Sequence, residues 1–174
     1  MKVKISVLTI VLIGAGYFFL KPLFMKDIDY IRERIEYGIQ NTNKSGVDGD
    51  FNIALKSERF SNIFENEIFY KLINTKDLLK RYDVEFLRDN FEGSIDKNGL
   101  KSIFFYAYRE LQKLDIDYEV KDYKIENDKA EVKVLFKTTL ILHEIHGNET
   151  LLVKLHLNRT EKGWFINFIE YNGK

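Results

Sequence analysis

Three histidines, His143, His146 and His156, are the side chains in this sequence best suited to move a proton or bind a metal near neutral pH. In His143-Glu144-Ile145-His146 the imidazoles are one residue too close for the helical zinc spacing, and on a strand they point to opposite faces. A two-residue turn at Gly147-Asn148 would set His156 opposite Thr139 and on the face of His143, too far along the strands for a metal pair. Surface polarity is therefore the expected role of all three. Asp48-Gly49-Asp50-Phe51-Asn52 begins like a calcium loop, but Ile53 stands where the turn glycine is needed and Arg59 where the bidentate glutamate belongs. Asn43-Lys44-Ser45, Asn148-Glu149-Thr150 and Asn158-Arg159-Thr160 match the glycosylation pattern, which matters only in a eukaryotic secretory pathway. No glycine-rich phosphate loop, nucleophile elbow or pair of helical carboxylates is present, and the absence of cysteine removes disulfides, thiolate metal sites and a cysteine nucleophile. The sequence thus nominates no catalytic residue, cofactor or metal ligand.

Charge narrows the partners. Met1 to Lys26 holds Lys2, Lys4, Lys21 and Lys26 and no acid, so removing those four from 27 Lys and Arg leaves 23 against 27 Asp and Glu. The rest of the chain is mildly acidic and has no basic stripe, which argues against nucleic acid. With 174 residues, 45% of them hydrophobic and 14% aromatic, the chain can bury one sizeable core but not two domains plus an anchor. The expected organisation is a membrane segment over 1–26 and a single α+β domain over 27–174.

Ile5 to Leu20 is an uncharged run of 16 residues, about 24 Å as a helix, flanked by Lys4 and Lys21 that can reach the interfaces and followed by Leu23, Phe24 and Met25. It reads as a single-pass anchor in the lipid bilayer. Its rival is a cleaved signal peptide with Gly14-Ala15-Gly16 before the cleavage site, although the apolar run continues through Leu20. Either reading exports the domain, so an extracytoplasmic location is expected.

Beyond the segment, Ile28, Ile31 and Ile35 predict a helix from Asp27 to about Gln40, and Asn41 to Gly49 a loop. Phe60, Ile63, Phe64, Ile68 and Leu72 mark a second helix, Thr75 caps a short third one with Leu78 and Leu79, Val84 to Asn90 adds a turn or two, and Gly93 ends the stretch. A core-facing helix follows from Asn98 to Leu114, with Leu100, Ile103, Phe104, Ala107, Leu111 and Leu114 on one stripe. After Asp115 the period falls to two. A turn at Asn127-Asp128 pairs Glu126 with Lys129, Lys124 with Glu131 and Asp122 with Lys133 on one face, and Ile125 with Ala130 and Tyr123 with Val132 on the other. Val132, Val134, Phe136, Thr138, Leu140 and Leu142 alternate inward; a Gly147-Asn148 turn would pair Leu142 with Val153, and Lys162-Gly163 returns the chain for Trp164, Ile166 and Phe168. The predicted fold is α+β, with several helices packed on a four-stranded antiparallel meander behind an N-terminal transmembrane helix.

Helices first, then a long meander ending in Gly163-Trp164-Phe165-Ile166-Asn167-Phe168, resembles the cone-shaped fold named for nuclear transport factor 2, the NTF2-like fold, over about Asp27 to Tyr171. With a membrane helix in front, the layout is also similar to the VirB8-type component of type IV secretion, which joins one span to such a domain and acts through protein contacts. In enzymes of the cone fold an acid or base sits between sheet and helices, and the inward candidates here are Tyr118, Tyr123 and Glu144. Core tyrosines and a strand-end glutamate are the simpler account of them.

The opposite sheet face is less ordinary. Leu135, Ile141, Leu152, Phe165, Ile169 and Tyr171 point away from the inward set, among Lys133, Lys137 and Lys154, and an open face in water is normally more polar. Ile141, Leu152, Phe165, Ile169 and Tyr171 are thus the candidate interface, covered by a domain helix, a protein partner or a second copy. The leading expectation is a membrane-anchored assembly domain acting through protein contacts. The alternatives are a small-molecule-binding domain with a cavity between helices and sheet, and a cone-fold enzyme.

Overall fold

Ile28, Ile31 and Ile35 recur on one stripe and are the buried face of α1, Asp27–Thr42. The structure, a computed structural model, describes residues 26–75 and 91–173, Phe91 by its backbone alone. Three helices and a six-stranded mixed sheet make up these residues. Asp27 and Asp29 sit in the first turn of α1, where carboxylates suit the helix dipole, and the Lys26 amide donates to Asp29 Oδ2 at 3.2 Å. After a loop comes α2, Asp50–Ser61, followed by β1, Phe64–Ile73, and β2, Phe91–Asp96. Asp96 caps α3, Lys97–Glu110, by accepting from the Gly99 amide at 2.6 Å. Four long strands follow: β3, Leu111–Glu126; β4, Lys129–Leu142; β5, Ile145–Thr160; and β6, Gly163–Asn172.

The sheet order is β2-β1-β6-β5-β4-β3, with β1 parallel to β6 and every other pair antiparallel. This corrects the four-stranded antiparallel reading, because two strands were hidden in what read as helix. Phe64, Ile68 and Leu72 are four apart, and four residues return to one face in a helix and in a strand alike. Gly93, taken as a helix stop, lies in β2 opposite Tyr70, where an added Cβ would stand 2.8 Å from the Tyr70 hydroxyl. Leu111 and Leu114 belong to β3 and not to α3.

The anchor expected over Met1 to Lys26 lies outside the described residues except for Lys26, as do Leu78, Leu79 and Val84 to Asn90. Among the described residues no helix is long and apolar enough to cross a membrane. No described helix supplies the N-terminal transmembrane helix expected of the fold, so that element and the single-pass, extracytoplasmic localisation are not carried forward.

The hairpin of β3 and β4 has the expected register, Glu126 with Lys129, Lys124 with Glu131 and Asp122 with Lys133. The next hairpin does not. Leu142 pairs with Ile145 and not with Val153, a slip of eight residues, because the chain turns at His143-Glu144 with His143 at φ +53°. Gly147 instead lies buried in β5 opposite Leu140. Eight is even, so the inward and outward faces of both strands survive the slip. In β6 a bulge at Asn167 reverses them: Trp164 and Ile166 face inward, then Phe168 faces outward with His156, and Ile169 and Tyr171 face inward with Leu155 and Val153.

The main core lies between α1 and the sheet, where Ile31 and Ile35 meet Val132, Val134, Leu155, Leu157, Trp164 and Ile166, closed by Ile63, Phe64 and Ile68. A smaller cluster of Ile53, Phe104 and Tyr108 joins α2 to α3, and Phe60 packs against both. If β1 is a strand with Ile68 inward, Ile68→Ala costs about 2–5 kcal/mol in urea unfolding, whereas Phe69→Ala, whose ring is 47% exposed, stays within about 0.5 kcal/mol. Equal losses at the two positions would defeat the assignment.

Candidate functional site

α1 and the twisted, bulged sheet beneath it do not meet along their whole length. A cavity of about 290 Å³ remains between them. Ile35, Gly38, Ile39 and Thr42 of α1 form its roof, with Phe60, Ile63 and Phe64 on the α2–β1 side. Its floor is Ile116 of β3, Phe136 and Thr138 of β4, Leu151, Val153 and Leu155 of β5, and Ile166 and Ile169 of β6. Two hydroxyls are the only side-chain heteroatoms in this lining, and both are engaged: Thr42 donates to the Gly38 carbonyl at 2.8 Å and Thr138 to the Glu149 carbonyl at 3.5 Å. The walls are otherwise hydrocarbon. At Gly38 the helix comes close to the junction of α2 and β1, since a Cβ there would lie 2.6 Å from Ile63 Cδ1.

The C-terminal end of α1 is held by a polar cluster next to the cavity. Asn43 donates from Nδ2 to the Ile116 carbonyl at 3.4 Å and accepts from the Ile116 amide at 2.8 Å, while Lys44 and Leu114 exchange backbone hydrogen bonds at 2.7 and 3.0 Å. The buried Lys44 ammonium donates to the Tyr108 carbonyl at 2.8 Å, satisfying an orphan carbonyl at the end of α3. Lys56 on α2 donates to the Tyr108 hydroxyl at 2.6 Å, to Asp48 Oδ2 at 3.0 Å and to the Asn43 carbonyl at 3.2 Å. The Tyr108 hydroxyl stands within 3.0 Å of the Asn43 carbonyl and 3.2 Å of Asp48 Oδ2, so it has acceptors for its own proton. Tyr108 is 1% exposed, and desolvation raises its pKa against the pull of Lys56. Burial works to raise the pKa of Asp48, but the hydrogen bond and charge of Lys56, with help from Tyr108 and Lys44, outweigh it and hold the carboxyl below its usual range. Burial likewise opposes the Lys56 charge and is outweighed by Tyr108 and Asp48, so its pKa is raised. These polar groups answer one another and fasten the Asn43 to Asp48 loop.

No protein-family model matches the sequence, and no curated protein matches it significantly. Solved structures do match. An NTF2-like protein with a cystatin-like fold from Novosphingobium aromaticivorans superposes with a TM-score of 0.57 at 12% identity, over 92% of this chain and 86% of that one. A ketosteroid isomerase-like protein from Erwinia carotovora atroseptica gives 0.54 at 12% identity, over 86% of this chain and 97% of that one. An NTF2-like protein of unknown function from Shewanella baltica gives 0.54 at 10% identity, over 86% and 94%. The fold is NTF2-like. These likenesses do not bear on the VirB8-type component specifically, and at these identities they concern architecture alone.

Within the NTF2-like cone the residues singled out in the sequence fall apart into separate places. Tyr118 is on the inner face beside Phe136, half-buried and outside the cavity lining, and desolvation followed by the charge of Glu36 raises its pKa, so it holds its proton. Tyr123 is 50% exposed, and Glu144 is exposed in the β4–β5 turn. His143 reaches Glu110 at 3.4 Å, and His146 is an exposed neighbour of Ile141. His156 lies opposite Glu131 and not Thr139. Among the described residues no group of three or more His, Asp or Glu could hold a metal ion. The candidate interface is divided: Ile141 and Leu152 face outward, Leu152 at 49% exposure, whereas Ile169 lines the cavity and Tyr171 faces inward beside Val153. Phe165 is half-buried with the Arg34 guanidinium of α1 4.4 Å from its ring centre. The cavity itself was missed residue by residue, and its signal was the pair of facing apolar stripes.

The polar cluster makes a pH-dependent prediction. A carboxyl whose folded pKa is depressed contributes stability that is full above its unfolded value, about 3.9, and is lost as the pH falls toward the folded one. Asp48→Asn therefore lowers stability at pH 7 and flattens its decline below about pH 4. Tyr108→Phe, which leaves Lys56 short of a buried acceptor, costs about 1–3 kcal/mol at pH 7. Urea unfolding from pH 7 to pH 3 checks both; an unchanged acid slope in Asp48→Asn would show that the pair contributes nothing.

Proposed function

We propose that this chain is a small-molecule-binding domain of NTF2-like fold whose ligand is apolar and sits between α1 and the sheet. The observation that carries the reading is the cavity of about 290 Å³ with hydrocarbon walls and both of its hydroxyls already bonded to backbone carbonyls. Its size is at the lower end of ligand pockets, roughly 300–1,000 Å³. A polar or charged ligand group would lose its water there without a replacement partner, which selects for hydrocarbon surface. The Erwinia neighbour's description as ketosteroid isomerase-like supports a small apolar molecule in this fold. Among the described residues no acid or base lines the cavity, so the reading is binding and not turnover.

The test is a fluorescence titration with N-phenyl-1-naphthylamine, a neutral apolar dye. Saturable binding is expected, weakened at least about tenfold by Val153→Phe, which fills the cavity, and unaffected by Thr138→Val, whose hydroxyl is bonded away from the ligand. Circular dichroism and the melting temperature establish that the variants are folded. Dye binding that Val153→Phe leaves intact would place the dye elsewhere and remove the cavity from the account.

A further inference from the structure

On the outer sheet face a groove of about 400 Å³ crosses four neighbouring strands, lined by Lys124 and Glu126 of β3, Lys129 and Glu131 of β4, His156 and Asn158 of β5, and Asn167 and Phe168 of β6. It lies across the sheet from the apolar cavity and shares no lining residue with it. Two buried polar atoms, His156 Nε2 and Asn167 Oδ1, have no hydrogen-bond partner among the described residues, and both belong to this groove. Such atoms are uncommon in folded proteins because each forfeits its hydration. Asn167 is also the bulged residue of β6, and a bulge re-aims a side chain at the cost of ladder pairing. The same bulge turns Phe168 outward, edge-on to the His156 ring with centroids 5.0 Å apart.

We propose that this groove is a binding site for a neutral, hydroxyl-rich ligand, a saccharide, with His156 and Asn167 as its hydrogen-bonding pair and Phe168 as the wall for the sugar's C–H face. The two lysines and two glutamates of the rim balance, and Lys124 is already paired with Glu126 at 2.8 Å, so the groove selects neither an anion nor a cation. An imidazole nitrogen can donate or accept, an amide oxygen accepts, and a hydroxyl can meet either. The two atoms are closed to solvent as the side chains stand. The terminal torsions of histidine and asparagine are broad, so the ring and the amide can turn toward a ligand without leaving their staggered χ1 wells.

The full chain is titrated with methyl glucoside, lactose and N-acetylglucosamine while the histidine ring resonances are followed by NMR, with sodium phosphate and tetramethylammonium chloride as ionic controls. A saturable shift of His156 is expected with at least one sugar, with His143 and His146 unmoved. Asn167→Ala weakens it at least about tenfold, and calorimetric titration with the same sugar shows His156→Gln to weaken binding as much, while dye binding in the apolar cavity stays as in the parent. If one substitution prevents folding, the other decides. No response to any sugar, a response to the ions alone, retention of binding in a folded variant, or a shift that follows protein concentration and so reports contact between copies each overturns the proposal.

Discussion

The rest of the molecule depends on the burial of α1 against the concave side of the sheet. Ile31 and Ile35 lose almost all their exposure there, and the strands that receive them are curled by right-handed twist and by bulges at Gln112, Lys121 and Asn167. Ile31 and Ile35 pack with Val132, Val134 and Leu157, and a gap lined by Ile35, Gly38, Ile39 and Thr42 remains farther along α1. The gap is the cavity.

That arrangement requires α1 to be fixed at both ends, and the charges are distributed accordingly. At its N-terminus Asp27 accepts from Trp164 Nε1 at 3.4 Å and faces Arg159 at 3.3 Å, while Arg34 donates to the Asn62 carbonyl at 3.3 Å. At the other end the last turn has no basic residue of its own, and Lys56 supplies the cation by donating to the Asn43 carbonyl just past the helix. Lys56, Asp48 and Tyr108 therefore do for the C-terminus what Asp27 does for the N-terminus. Tyr108 carries this role because its ring is stacked on Phe104, which is stacked on Phe60 at the edge of the cavity. The polar fastening and the apolar site are thus joined through three rings.

What could be read from the sequence follows from what the residues encode locally. The register of β3 on β4 was legible because charge pairs and apolar pairs choose it together. The stripe of α1 was legible because isoleucine at helical spacing has one interpretation. β1 was not, since Phe64, Ile68 and Leu72 satisfy two periods at once, and only tertiary pairing with β6 decides between them. The β4–β5 turn was misplaced because Gly147-Asn148 is the better turn dipeptide, and His143 accepts a left-handed conformation that side chains rarely adopt. The bulge at Asn167 has no local signature. It alone moved Ile169 and Tyr171 from the supposed interface to the inside, and Phe168 to the outside. The candidate site was legible only as two facing apolar surfaces, because an unfilled volume belongs to no residue.

The chemistry of the cavity is constrained by the same alternation that builds it. Every inward position along β4, from Ala130 through Thr138, is apolar or a threonine. Thr138 is the one place on that strand where polarity enters the lining, and its hydroxyl is bonded to the carbonyl of Glu149 on the neighbouring strand. A carboxylic acid introduced at any of these positions would be desolvated by the surrounding hydrocarbon, with no donor nearby to stabilise its anion, and would remain protonated at neutral pH. General-base catalysis in this cone would therefore require a second polar residue to accompany the first. The interior offers instead a volume from which water gains little and a hydrocarbon ligand gains contact with fifteen side chains and backbone surfaces. The polar groups of the domain gather at the ends of α1 and on the outer face of the sheet, and the lining between α1 and the sheet is left to hydrocarbon and two bonded threonines.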